Sequence, residues 1–368
     1  MEEVEIIDRS VAEMLIAPIA GLNDRFGVIA LTESKRQALY NNPYVTNLDS
    51  HCQLIGVVNG IAIGGEIHFP LYWTISGKPV GVLCSSTTFV AKEYRKTELG
   101  LQLKEYRKLL CPSDITCGSG CSQMMLKVLR YWKEPIFLMP RMIMLFKSRS
   151  VIDMKLRGWM SRFTSAIIDV GLLIYWWSVK RIIGFKLRGC TFDTVDSEND
   201  NTLESVAELI SSDKHPYAEL HDVRWLKWHL TESFTNDGPM KLTAVKRNGR
   251  LIAFYMTKVR FYAQASARGF KNVRLVSLME WQAIKGEEGL LPWILLHASC
   301  AHTKTNDAVE IVTVDAKILK RLRLLGWQHV GDSNFTFHIH DGPLKGDDEI
   351  YNDENWRLRP AMGDVGLS

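Results

Sequence analysis

The strongest constraint on the fold is that the chain runs through one order of strand, turn and helix signals twice. Apolar runs at 54–58 and 61–67 flank Asn59-Gly60, a pair that tolerates the positive φ angles of a tight type I′ turn. Runs at 242–245 and 251–255 flank Asn248-Gly249 in the same way, 189 residues later. A third strand follows each hairpin, over 80–90 and 273–281, and then a polar loop ending in Gly100 or Gly289, again 189 residues apart. Behind each glycine the spacing predicts an amphipathic helix, with Leu99, Leu103, Tyr106 and Leu110 on one face of the first and Leu291, Ile294, Leu295 and Ala298 on one face of the second. A further helix closes each half at Trp132 or Trp327, and in the later one Asp315 is placed to cap the start and Gly326 to end it. Such an order implies an α/β chain, an α+β mixed sheet with helices on its faces, present in two copies.

Length and charge agree with two domains of ordinary globular composition: 368 residues, 46% hydrophobic and 23% charged. We expect a first domain over residues 1–150, a hydrophobic and basic helical connector over 151–195, and a second, degenerate copy over 196–368. The acidic stretch 196–200 reads as a linker, and the polar tail after Asp341 is expected to drape over the surface. A net charge of +4 is too small to argue for DNA, whose binders concentrate basic residues on one face. Seven cysteines without a CxxC pair read as reduced thiols, Cys84 as a buried structural one, and Cys117 and Cys121 beside a turn lack a second ligand pair for a metal. With an acidic start where a secretory leader would be basic, the expected location is cytoplasmic.

The stretch Phe89-Val-Ala-Lys-Glu-Tyr-Arg-Lys-Thr-Glu-Leu-Gly-Leu-Gln-Leu103 resembles the acetyl-CoA-binding motif of the GNAT superfamily, the acyl-CoA N-acyltransferases. In that family a strand splays from its neighbour, an Arg/Gln-x-x-Gly-x-Gly/Ala loop follows, and a helix begins behind it. The physical basis is anion binding by backbone N–H groups and the dipole at a helix start. The resemblance implies a duplicated acyl-CoA N-acyltransferase (GNAT-like) fold. It also implies a site for acetyl-CoA or another acyl-CoA formed by Phe89, Val90, Arg95, Lys96, Thr97, Glu98, Leu99 and Gly100. Arg95 and Gly100 hold the first and last motif positions, while Glu98 stands where the family has a glycine; its carboxylate either points outward or weakens the site. The second half departs further, with Ile284 at the arginine position and Glu287-Glu288 before Gly289, so it is not expected to bind CoA. A tyrosine that often serves the family as general acid falls at Lys127 and Leu322 here, with Tyr131 nearby but out of register.

Amide formation from a thioester needs a neutral amine, a route for its proton and a donor for the tetrahedral oxyanion. Glu66 and His68 alternate on one strand and face one side of the sheet, as catalytic residues or as part of a solvated face. Glu280, on the equivalent strand of the second half, either faces a pocket between the domains or is a solvated carboxylate. Ser85, Ser86, Thr87 and Thr88 end the central strand, where a backbone N–H near Phe89 could hold the thioester carbonyl.

Between the halves, nine basic residues from Lys147 to Arg188 surround the 17-residue apolar stretch 163–179, which contains Asp169. That is shorter than the roughly twenty uncharged residues a bilayer span requires. The reading is an inter-domain helix packed against both sheets, with 163–188 as a candidate contact with a membrane surface. Segments 222–228 and 355–358 also resemble tandem proteins associated with bacterial surface polysaccharides. The implied function is an acyl-CoA-dependent N-acyltransferase, an acetyltransferase acting on a small-molecule or glycan amine such as an amino sugar. The alternatives are a Fem-like transferase using aminoacyl-tRNA, for which no extended basic arm is visible, and a non-catalytic scaffold.

Overall fold

The computed structural model describes residues 4–16, 32–95, 97–110, 115–152, 159–262, 272–341 and 344–363. The first half contributes β1 (Glu5–Ser10), α1 (Val11–Ile16), α2 (Glu33–Tyr40), β2 (His51–Val58), β3 (Ile61–Ile75), β4 (Lys78–Val90), α3 (Leu99–Leu110), β5 (Ile115–Ser119), α4 (Gln123–Tyr131) and β6 (Ile136–Leu145). The short α5 (Arg149–Ile152) and long α6 (Trp159–Lys186) lead into β7 (Cys190–Val195), α7 (Asp200–Ser211), β8 (Tyr217–Glu219) and α8 (Val223–Thr231). The second copy continues with β9 (Lys241–Arg247), β10 (Arg250–Tyr262), β11 (Val273–Ala283), α9 (Leu291–Ala301), β12 (Ala308–Val312), α10 (Ala316–Leu324) and β13 (Gln328–Ile339).

Among the described residues all thirteen strands form one sheet in the order β1-β2-β3-β4-β5-β13-β6-β12-β11-β10-β9-β7, with β8 paired to β3 off this path. Read inward from its two ends the order is palindromic, with β1 matching β7, β2 matching β9, β3 matching β10, β4 matching β11 and β5 matching β12. β6 and β13 meet antiparallel at the centre. The last strands are therefore exchanged: β6, at the end of the first half of the chain, bonds to β12, and β13 bonds to β5. A cut at residue 150 leaves β6 in the chain of the first half and in the sheet of the second.

Local chemistry explains the matching hairpins. Asn59-Gly60 and Asn248-Gly249 adopt left-handed φ angles of 49° and 75°, and 52° and 77°, as a type I′ turn requires. A bulge follows at equivalent places, between Gly56 and Val57 in β2–β3 and between Leu251 and Ala253 in β9–β10. Asp315 caps α10 by accepting from the amides of Lys317 and Ile318, and Gly326 ends it at φ 82°.

The larger core passes beneath both halves, joining Phe69 and Trp73 of β3 to Phe335 and Phe337 of β13, Phe254 and Met256 of β10, and Trp225 and Trp228 of α8. Trp73 packs edge-on to Trp356 with ring centroids 4.8 Å apart, so the tail is part of this core. The expected surface drape is thus corrected: Trp356, Arg357, Leu358, Ala361 and Met362 are buried. The apolar members of this segment fill the seam between the halves, and its arginine finds a carboxylate there.

The connector also differs from its expectation. Among the described residues α6 packs on the sheet of the second half, together with the end of β6 that lies in it, burying Trp176, Val179 and Ile183 with Phe146, Ile294 and Leu322. Trp176 Nε1 donates to the Leu145 carbonyl at 3.0 Å and Tyr175 Oη to that of Leu325 at 2.8 Å. Among the described residues no helix is long and apolar enough to cross a membrane.

Candidate active site

β4 and β5 are parallel and paired only from Leu83–Ser85 to Thr116–Gly118, whereas β4 runs on to Val90 beside β3. Beyond Ser85 this pairing ends, β5 stopping at Ser119 while β4 continues along β3, and the place where β4 has left β5 is here called the wedge. A bulge marks the parting, since Gly65 and Ile67 face Phe89 and Ser86 with one extra residue on β4. The chain then makes one 3-10 turn at Lys92–Tyr94 and enters α3 at Leu99.

Two glycines seat the start of α3. A Cβ on Gly56 would stand 2.6 Å from Leu99 Cδ1, and one on Gly64 would stand 2.9 Å from the Phe89 carbonyl oxygen and 3.0 Å from Leu99 Cδ2. Leu99 therefore sinks onto the β2–β3 hairpin, 1% exposed, through space that side chains would fill. Gly100 is different. A Cβ there meets Val90 Cγ2 at an ordinary 3.7 Å, so nothing among the described residues demands glycine at this place.

The loop residues singled out from the sequence lie together at this helix start. Phe89 and Val90 end β4. Arg95 folds back, its Nε donating to the Val90 carbonyl at 3.0 Å and its guanidinium lying 5.6 Å from the Phe89 ring centre. Thr97 Oγ1 donates to the Tyr94 carbonyl at 2.7 Å and accepts from the Leu99 amide at 3.4 Å. Glu98 is exposed, and its carbonyl accepts from the amides of Leu101 and Gln102. Lys96 lies outside the described residues.

The matching place in the second half is occupied by the chain itself. β11 leaves β12 after Leu278, and the next carbonyl, that of Met279, accepts from the Ala361 amide of the tail at 3.1 Å. Arg359, Pro360 and Met362 close the seam down to a cavity of about 20 Å³, room for about one water. In the loop before α9, Glu288 Oε2 accepts from the Gly286 amide at 2.8 Å and Glu287 pairs with Arg247 at 2.9 Å. Amides of Glu288 and Gly286 hold the Glu288 carboxyl below its usual range. A carboxylate already stands on the loop amides.

Glu66 and His68 are buried rather than on a solvated sheet face. Glu66 Oε1 lies 3.2 Å from Arg107 Nη1 and accepts from Thr88 Oγ1 at 3.1 Å, while Arg107 Nη1 also donates to Ser85 Oγ at the point where the wedge opens. Burial raises the Glu66 carboxyl, but Arg107 and then Lys104 outweigh it and hold it at about 2. Burial pushes His68 down to about 4 against the opposing pull of Glu66, so its ring is neutral at pH 7. Lys104 and Arg107 are the residues the sequence reading missed. On an amphipathic helix they read as solvent-facing, yet α3 turns them inward with Leu103 and leaves Tyr106 41% exposed. Tyr131, 85% exposed, lies on the outside of the molecule.

Glu280 belongs to a second buried cluster and is not solvated. Its Oε1 accepts from Arg357 Nη2 at 2.7 Å, Arg359 Nε is 3.3 Å away, and His221 Nδ1 is 2.9 Å from Oε2. His221 faces Glu219 on its other side at 3.4 Å and stacks on Trp225 with centroids 3.7 Å apart. Burial opposes the charge on His221, and the two carboxylates overcome it and raise its pKa.

No family profile and no curated protein sequence matches the chain. Solved structures do. N-myristoyltransferase of Saccharomyces cerevisiae with bound myristoyl-CoA aligns over 93% of this chain and 84% of its own, with a TM-score of 0.60 and 11% identity. A GCN5-related N-acetyltransferase from Anabaena variabilis aligns over 92% and 73%, with a TM-score of 0.54 and 10% identity. At such identities the likeness is one of fold, and together with the palindromic sheet it identifies the architecture as a duplicated acyl-CoA N-acyltransferase (GNAT-like) fold.

Proposed function

We propose that the protein is an acyl-CoA-dependent N-acyltransferase that holds acetyl-CoA or another acyl-CoA in its first half. The observation that carries this reading is the wedge beyond Ser85, with the start of α3 seated over it and a glycine there that the fold itself does not require. Pyrophosphate oxygens would meet the helix-start amides, with Thr97, Leu99 and Gly100 around them and Arg95 at the rim. The acidic loop and inserted tail close the matching place in the second copy, which leaves one cofactor site per chain. The region over 1–150 thus supplies the cofactor site and 196–368 supplies acceptor surface.

With an acyl-CoA bound, an incoming neutral amine would form the C–N bond at the thioester carbon as the C–S bond breaks, and the proton the nitrogen loses would pass through solvent to the departing thiolate, so that CoA leaves as the thiol. The β4 bulge between Ser86 and Phe89 breaks the regular register with β3 beside the wedge, and a backbone N–H in this stretch is the donor we assign to the thioester oxygen. Glu66 at about 2 and His68 at about 4 are too weakly basic to draw a proton from an ammonium at pH 7. The part of Glu66 is positioning: it holds Arg107, and Arg107 holds Ser85, at the origin of the wedge. Glu280 anchors the tail that closes the second copy.

The acceptor class we assign first is an amino sugar of a glycan, from the likeness of the chain's element order and short segments to tandem transferases. Six described cysteines are thiols outside any disulfide, in keeping with a cytoplasmic setting. The test is release of CoA thiol from acetyl-, octanoyl- and myristoyl-CoA in the presence of amino sugars, amino acids and N-terminal peptide amines. Acceptor-dependent release that Arg107→Ala abolishes supports the reading. No release and no acyl-CoA binding with any chain length would overturn it.

A further inference from the structure

α6 carries its polarity reversed over its first half. The positions turned inward are Ser161 and Ser165, both buried, and Asp169, whose carboxylate accepts from the Ser148 amide at 2.7 Å. The stripe turned outward is Met160, Phe163, Ile167, Val170, Ile174 and Trp177, each between 51% and 63% exposed. A helix between a protein and water shows the opposite arrangement. An apolar stripe of this length, some 26 Å from first to last at the helical rise, marks a surface that another apolar phase covers.

Charge identifies that phase. Arg162, Lys180, Arg181 and Lys186 on the helix and Arg188 just beyond it are all exposed, and Asp169 is the sole acidic residue between 159 and 188. Arg181 lies over the exposed Trp177 ring at 5.2 Å, an aromatic and cation pair of the kind found at lipid headgroup level. A second copy of this chain would bring the same cations and no acidic partner for them. The helix does not meet the requirements for crossing a bilayer, so it would lie in the interface plane.

We propose that the outward face of α6 docks the protein on an anionic lipid surface, with the apolar stripe among the acyl chains and Arg162 and Arg181 at the headgroups, while Lys180 bonds Thr303 Oγ1 and Lys186 lies over the Trp293 ring on the protein side. This goes beyond the transfer reaction and does not depend on it. The experiment is vesicle flotation of the full chain with phosphatidylcholine alone and with phosphatidylcholine mixed with phosphatidylglycerol, beside light scattering for oligomeric state. Expected is flotation with the anionic vesicles, weakened about tenfold by Arg162→Gln with Arg181→Gln and by raised salt. An Ile167→Asp, Ile174→Asp variant should lose it while keeping the wild-type melting temperature, since both side chains are 59% exposed. Binding indifferent to lipid charge, absence of flotation, or a dimer that the aspartate variant dissociates would each overturn the proposal.

Discussion

Arg357 Nη2 donates to Glu280 Oε1 at 2.7 Å with both side chains buried, which ties the C-terminal segment to β11 by a charge-assisted bond. The tail is thereby part of the fold of the second copy. Glu280→Gln removes the carboxylate that Arg357 and Arg359 share and leaves Arg357 with Asp213 at 3.4 Å, and the expected loss is about 3–5 kcal/mol in urea unfolding. A variant within experimental error of wild type would show that the tail is not anchored there.

Acid should unfold the protein through the same groups. Arg357 with His221 holds Glu280 at about 2, and Arg107 with Lys104 holds Glu66 at about 2, against burial and from a usual 4.5. Both folded-state values are depressed, so the stability these carboxylates confer is complete above about pH 4.5 and disappears as pH falls through 2. Melting temperature measured across that window should fall steeply, and less steeply in Glu66→Gln.

Lys258 also makes stability rise with pH, but through a penalty that fades and in a higher window. Burial and then the nearby Arg260 lower it from 10.5 to about 6, so between those values the unfolded chain binds more protons than the folded one. Its contribution therefore opposes folding most at low pH and fades as pH rises toward 10.5. Lys258→Met should raise the melting temperature at pH 7 and flatten its rise with pH. An unchanged pH slope would contradict the assignment.

The seat of α3 makes a graded prediction. A methyl at Gly64 meets the Phe89 backbone oxygen at 2.9 Å, whereas one at Gly56 meets the tip of Leu99, which can rotate. Gly64→Ala should cost on the order of 1–3 kcal/mol and Gly56→Ala less, as judged by chemical denaturation. The reverse ranking would show that Leu99 cannot rotate in its seat and that the backbone near Phe89 gives more readily.

What the sequence made legible was whatever repeats locally. The Asn-Gly hairpins, the Asp315 cap and the alternation of strands announce themselves by residue type, and they were enough to give the duplicated sheet. The exchange of β6 and β13 was not readable, because both strands end their halves in the same way and either placement buries the same apolar residues. Lys104 and Arg107 were hidden for a different reason. A helix face with lysine and arginine reads as solvated unless one knows that Glu66 waits opposite. Arg357, beside Trp356 in an acidic and polar tail, concealed a buried segment in the same manner.

The central claim is one acyl-CoA site per chain, at the start of α3. Calorimetric titration with acetyl-CoA and myristoyl-CoA of the wild type, Gly100→Ala and Gly289→Ala tests it most directly. A Cβ at Gly100 meets only an ordinary contact and one at Gly289 meets nothing, so both variants should fold with unchanged or slightly raised melting temperature. The account predicts a single site, weakened at least about tenfold by Gly100→Ala and untouched by Gly289→Ala. Two sites, no binding, or full affinity in a folded Gly100→Ala variant would contradict it.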